Sequence, residues 1–79
     1  MPNELKGLNI PTASYRGVGR YRKANKIAAY LHGKNISVQA AWGMDADQRA
    51  FAAQKAGANP PSNDESWGEV CIILAELRA

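Results

Sequence analysis

Residues 26–42, Lys26-Ile27-Ala28-Ala29-Tyr30-Leu31-His32-Gly33-Lys34-Asn35-Ile36-Ser37-Val38-Gln39-Ala40-Ala41-Trp42, are the segment on which the fold turns, because they read in two ways. As a hairpin, Gly33-Lys34-Asn35 is a tight turn joining Lys26–Leu31 to Ile36–Trp42. Glycine and asparagine accept the positive φ angles such turns require. The second arm alternates Ile36, Val38, Ala40 and Trp42 with Ser37, Gln39 and Ala41, the period of a half-buried strand. As a helix pair, Ile27, Tyr30 and Leu31 form an apolar stripe that Gly33 ends, and residues 36–42 make the second arm of a helix-turn-helix. That second helix lacks apolar residues where it should dock, so the hairpin is the expected form.

Upstream, Tyr15, Gly17, Gly19 and Tyr21 alternate with Arg16, Val18, Arg20 and Arg22, which makes Ser14–Lys23 a candidate strand with three arginines on one face. Downstream, Asp45 is a good N-cap for a helix that Gly57 and Asn59-Pro60-Pro61 terminate. Ser62 and Glu65 are spaced like a capping box ahead of a final helix, about Glu65–Ala79. That helix places Trp67, Val70, Cys71, Leu74 and Leu77 on one face, widened by Ile72 and Ile73. A strand at Val70–Leu74 is the alternative, because the apolar run is continuous and β-branched. The expected fold is therefore α+β. A three-stranded antiparallel sheet (Ser14–Lys23, Lys26–Leu31, Ile36–Trp42) packs on the Asp45–Gly57 helix, and a C-terminal helix sits at the edge or makes a dimer. Residues 1–13, with Pro2, Gly7 and Pro11 and no periodicity, read as an irregular arm before a single small domain, 14–79.

The chain has 79 residues and a net charge of +3, unevenly spread. Arg16, Arg20, Arg22, Lys23, Lys26 and Lys34 follow one another with no carboxylate among them, whereas all but one of the acids lie after residue 40. That asymmetry points to an anion-binding face on the first half. A single cysteine, Cys71, permits no internal disulfide and suits a reducing compartment. No apolar leader or membrane-length run is present, so the expectation is a cytoplasmic protein with no membrane contact.

Tyr15-Arg16-Gly17-Val18, then Lys26-Ile27-Ala28-Ala29-Tyr30-Leu31, then Gly33-Lys34-Asn35-Ile36, then an alanine-rich helix, resembles the Apetala/ethylene-responsive DNA-binding domain over about 43 residues. That family also occurs in phage homing endonucleases and integrases. The resemblance implies a sheet face that enters the major groove of duplex DNA. It places Arg16, Arg20, Arg22, His32 and Lys34 toward phosphates and bases, with Lys23 and Lys26 adding backbone contacts. Arginine suits the task because its planar fork grips guanine or phosphate through two hydrogen bonds. The chain departs from the family in carrying Ile27 where an aromatic residue is usual, and in Val38–Trp42 where the third strand closes.

Catalysis finds no constellation. His32, the lone histidine, has no acid nearby in sequence and no cysteine pair, so neither a metal site nor a catalytic base is expected. Asp45 and Asp47 are explained by the helix dipole. Gly17 and Gly19 lack the downstream glycine and lysine of a phosphate loop. A non-enzymatic nucleic-acid binder without cofactor is the first expectation. The alternative is a small inhibitor or adaptor for a protein or ribonucleoprotein target, since the layout loosely resembles phage products such as anti-CRISPR proteins. Such a partner, or a second copy in a homodimer, would meet Trp67, Val70, Ile73, Leu74 and Leu77 of the C-terminal helix.

Overall fold

The computed structural model describes residues 15–79, and these are helical without a strand. A one-turn 3-10 segment, Gly19–Tyr21, leads into α1, Arg22–Gly33; α2, Val38–Trp42, α3, Ala46–Ala56, and α4, Asp64–Arg78, follow. The expected arm at 1–13, and Ser14, lie outside the described residues.

The three-stranded sheet is thus corrected at every strand. Within 14–23, Tyr15-Arg16-Gly17-Val18 closes on itself: the Val18 amide donates to the Tyr15 carbonyl at 3.2 Å, with Gly17 at φ +79°. A left-handed third residue with an i to i+3 bond is the signature of a type II turn. Arg22 and Lys23 already belong to α1.

Between 26 and 42 the helix pair forms instead of the hairpin. Ala24, Ile27, Ala28 and Leu31 are the buried positions of α1, the i, i+3, i+4, i+7 stripe of an amphipathic helix. Only Ile27 in that run is β-branched, so little favours a strand there. Asn35 does adopt a positive φ, +62°, but as the residue that ends a helix. The Ile36 amide donates to the Leu31 carbonyl and the Asn35 amide to the His32 carbonyl, both at 3.0 Å. Those two bonds make a Schellman motif. Ser37 then caps α2, accepting the Ala40 amide at 3.0 Å. In α2 it is Val38 and Ala41 that are buried, three apart, which replaces the alternation expected of a strand.

The remaining helices lie close to expectation. Asp45 and Gln48 form a reciprocal capping box at the start of α3, and Gly57 ends it at φ +79°. At α4 the cap is Asn63, one residue past Ser62, whose side-chain oxygen accepts the Ser66 amide at 2.8 Å.

α4 is the centre of the bundle. Trp67, Gly68 and the run Val70–Leu74 are all buried, too wide an arc for a helix resting on one neighbour. α1 packs along it, α2 covers part of it, and α3 lies against α1. The Trp67 indole Nε1 donates to the Ala41 carbonyl at 2.8 Å, so the largest core side chain has its polar handle satisfied. Arg49 stacks between Trp42 and Trp67, its guanidinium carbon 5.8 and 5.3 Å from the two rings, and its Nη1 meets Asp64 Oδ1 at 2.7 Å. Arg78 closes the other end, donating from Nε and Nη2 to the Ile36 carbonyl at 3.1 and 2.7 Å.

Candidate nucleic-acid interface

The buried stripe of α1 faces α4 and leaves the opposite side of the helix to solvent, where Arg22, Lys23 and Lys26 stand exposed. Together with Gln54, Asn59 and the turn after α3, they line an open groove of about 520 Å³. No carboxylate lines it. Among the described residues none of these three cations has an acid within ion-pair distance, in contrast to Arg49. A second groove of about 250 Å³ shares Lys23 and Asn59 and adds Arg20, Tyr21, Ser62 and Glu69.

The lead-in to α1 is held in place by Asn25. Its Nδ2 donates to the Tyr15 carbonyl at 3.2 Å and to the Tyr21 carbonyl at 2.9 Å. Tyr15 and Tyr21 stack with centroids 4.1 Å apart, and the Arg20 guanidinium lies 5.2 Å from the Tyr21 ring. Burial, and then the neighbouring Tyr21, hold the Tyr15 phenol above its ordinary value. Glu69 is also raised, first by burial and then by the charge of Glu65, with Arg20 opposing. Glu69 therefore marks the edge of the positive surface.

The seven positions expected to bind nucleic acid divide. Arg22, Lys23 and Lys26 come together in the groove, and Arg20 borders it. Arg16 sits in the type II turn. Lys34 caps the far end of α1 with its Nζ 5.9 Å from the Tyr30 ring. Lys34 comes twelve positions after Arg22, about 18 Å of helix at 1.5 Å per residue. Lys26, Tyr30 and Lys34 are four apart and continue the same side. His32 is exposed but turned about 120° around the helix from Lys26. The groove's uncharged partners, Gln54 and Asn59, carry no signal in the sequence, because only the packing of α3 on α1 brings them there.

Of the five residues expected at a partner face, Trp67, Val70, Ile73 and Leu74 are fully buried inside the chain, and Leu77 is partly buried against the same core. Leu77 is the one of the five left partly open, and the four buried side chains hold the bundle together and present no surface. Cys71 is buried among them. α2, the second arm of the helix-turn-helix alternative, has five residues and exposes Gln39 and Ala40, with no cation.

Among the described residues no group of three His, Cys, Asp or Glu is placed to hold a metal ion. No helix there is long and apolar enough to cross a membrane. Compared with known proteins, the chain matches no family model, no curated protein and no solved structure.

Proposed function

We propose that this protein binds nucleic acid without chemistry, gripping the phosphates of a duplex with the solvent side of α1. The supporting observation is the groove in which Arg22, Lys23 and Lys26 converge with no carboxylate among its lining residues. These cations also stand where helix stability does not want them. The first turn of α1 contains no acid and its N-cap, Tyr21, makes no side-chain cap bond, so Arg22 and Lys23 add positive charge to the positive end of the dipole. Each such charge costs about 0.3–1 kcal/mol. An approaching phosphate reverses the sign of that term, since helix starts and cations favour anions together.

Gln54 and Asn59 add neutral side-chain amides at the groove's other wall, suited to phosphate or sugar oxygens. Lys34, about five base-pair rises from Arg22 along α1, extends the contact along the backbone. Affinity on this account comes mainly from counterion release. Fluorescence anisotropy with a random duplex between about 50 and 200 mM salt should show steep weakening. Replacing Arg22, Lys23 and Lys26 together by alanine should make the slope of log K against log salt shallower by about 2.7. An unchanged slope and affinity refutes the assignment.

A further inference from the structure

The outward side of α3 carries an exposed row, Asp47, Phe51 and Lys55, none of which lines the cation groove. Phe51 is 56% exposed, the most exposed large apolar side chain among the described residues, and Ala50 beside it is open as well. Asp47 lies four residues before it and Lys55 four residues after, all three outward on one row of the helix. The Lys55 Nζ is 5.3 Å from the Phe51 ring, and Asp47 has no ion pair among the described residues.

From Asp47, Phe51 and Lys55 we infer that this face pairs with a second copy of itself, antiparallel, about a two-fold axis through Phe51. A two-fold interface requires a surface that complements itself, residue i meeting j while j meets i. Rotation about Phe51 sets Asp47 of each copy opposite Lys55 of the other and Phe51 against Phe51. The two helix dipoles then run in opposite directions, which favours the pairing. The dipole alone accounts for an acid at the start of α3 and a base at its end, but not for the phenyl ring left open midway between them.

A contact made by one eleven-residue helix is small. It falls below the ~800 Å² per partner of a standard interface, so the dimer is weak and transient. Sedimentation equilibrium over about 0.01–1 mM should show reversible dimerisation of the wild type. Asp47→Lys alone and Lys55→Asp alone should each weaken it at least about tenfold, because both ion pairs become like-charge contacts. An equal mixture of the two single variants should re-form a dimer. One copy then presents a base at both positions, the other an acid at both, and each pair across the axis is again of opposite charge. The positions are solvent-exposed, and circular dichroism verifies that each variant keeps its helices. A wild type monomeric throughout, a dimer indifferent to either reversal, or a mixture that stays monomeric overturns the inference. Duplex affinity at the cation groove is measured separately, so its failure and this one are distinguishable.

Discussion

α3 begins on Asp45, whose carboxylate accepts the Gln48 amide at 2.9 Å, and carries Asp47 in its first turn. α4 begins on Asn63 and carries Asp64 and Glu65 there. α1 begins on Tyr21, with no capping side chain, and carries Arg22 and Lys23 instead. The starts of α3 and α4 follow the rule that orphan amides and a positive dipole end favour acids and caps, α2 follows it through its Ser37 cap alone, and α1 breaks it. The 3-10 turn Gly19–Tyr21 satisfies the first amides, Arg22 donating to the Gly19 carbonyl and Tyr21 to the Val18 carbonyl, but no acid offsets the two cations at the positive end of the dipole. The comparison separates helix starts whose charges suit the helix from the one whose charges do not.

The largest effect should come from bringing α1 into line with the others. Arg22→Glu, Lys23→Glu and Lys26→Glu together should weaken duplex binding at low salt by at least about a hundredfold, as three phosphate contacts become repulsions. The same variant should be more stable, by about 1 kcal/mol, because acids now occupy the first turn. Binding lost with stability gained is the outcome that distinguishes a functional surface from a damaged fold. A loss of both would break the comparison.

The converse change at α3 should move stability and leave binding alone. Asp45→Ala removes the carboxylate that accepts the Gln48 amide at 2.9 Å. The bond from the backbone amide of residue 45 to the Gln48 Oε1, at 3.0 Å, is the half of the capping box that remains. The expected loss is about 1 kcal/mol, or a melting point lower by about 4–8 °C in a domain this size. Unchanged duplex affinity in the same variant would confirm that the two helix starts do different jobs.

The smallest effect concerns the acid at the margin of the positive surface. Glu69 is held above its ordinary 4.5 by burial and by Glu65, so its ionised form is disfavoured in the fold. For a raised carboxyl the penalty is complete above the folded pKa. It is relieved as pH falls through that value and is gone below 4.5. Glu69→Gln should therefore melt slightly higher than wild type near pH 7, and the gap should close on acidification. Paired melting curves across that range test it, and a gap that widens toward acid contradicts the assignment.

Much of this arrangement is readable from residues with a single meaning. Asp45 and Gly57 mark α3 because a cap and a left-handed glycine at that spacing admit little else. The apolar residues Trp67 and Val70–Leu74 are less plain: the β-branched run also suits a strand, and its width suggests a surface to spare when it is the signature of a central helix. The misreading lies in residues whose meaning is local. Asn35 signals a positive φ, and both a hairpin turn and a Schellman ending use one, so the residue cannot say which way the chain leaves. Tyr15-Arg16-Gly17-Val18 likewise suits a strand end as well as the type II turn it makes. The cations of the site are visible as a charge run. The division of the expected residues into Arg22, Lys23 and Lys26 within the groove, and Arg16, His32 and Lys34 outside it, depends on a helical phase that the sheet reading lacks.

The most direct test of the α1 surface is a two-dimensional amide NMR titration of the full chain with a short random duplex. Shifts concentrated at Arg20–Lys26, Gln54 and Gly57–Asn59, fading as salt is raised, are the predicted result. Shifts centred on Phe51 or along α4, with residues 20–26 unmoved, would contradict it.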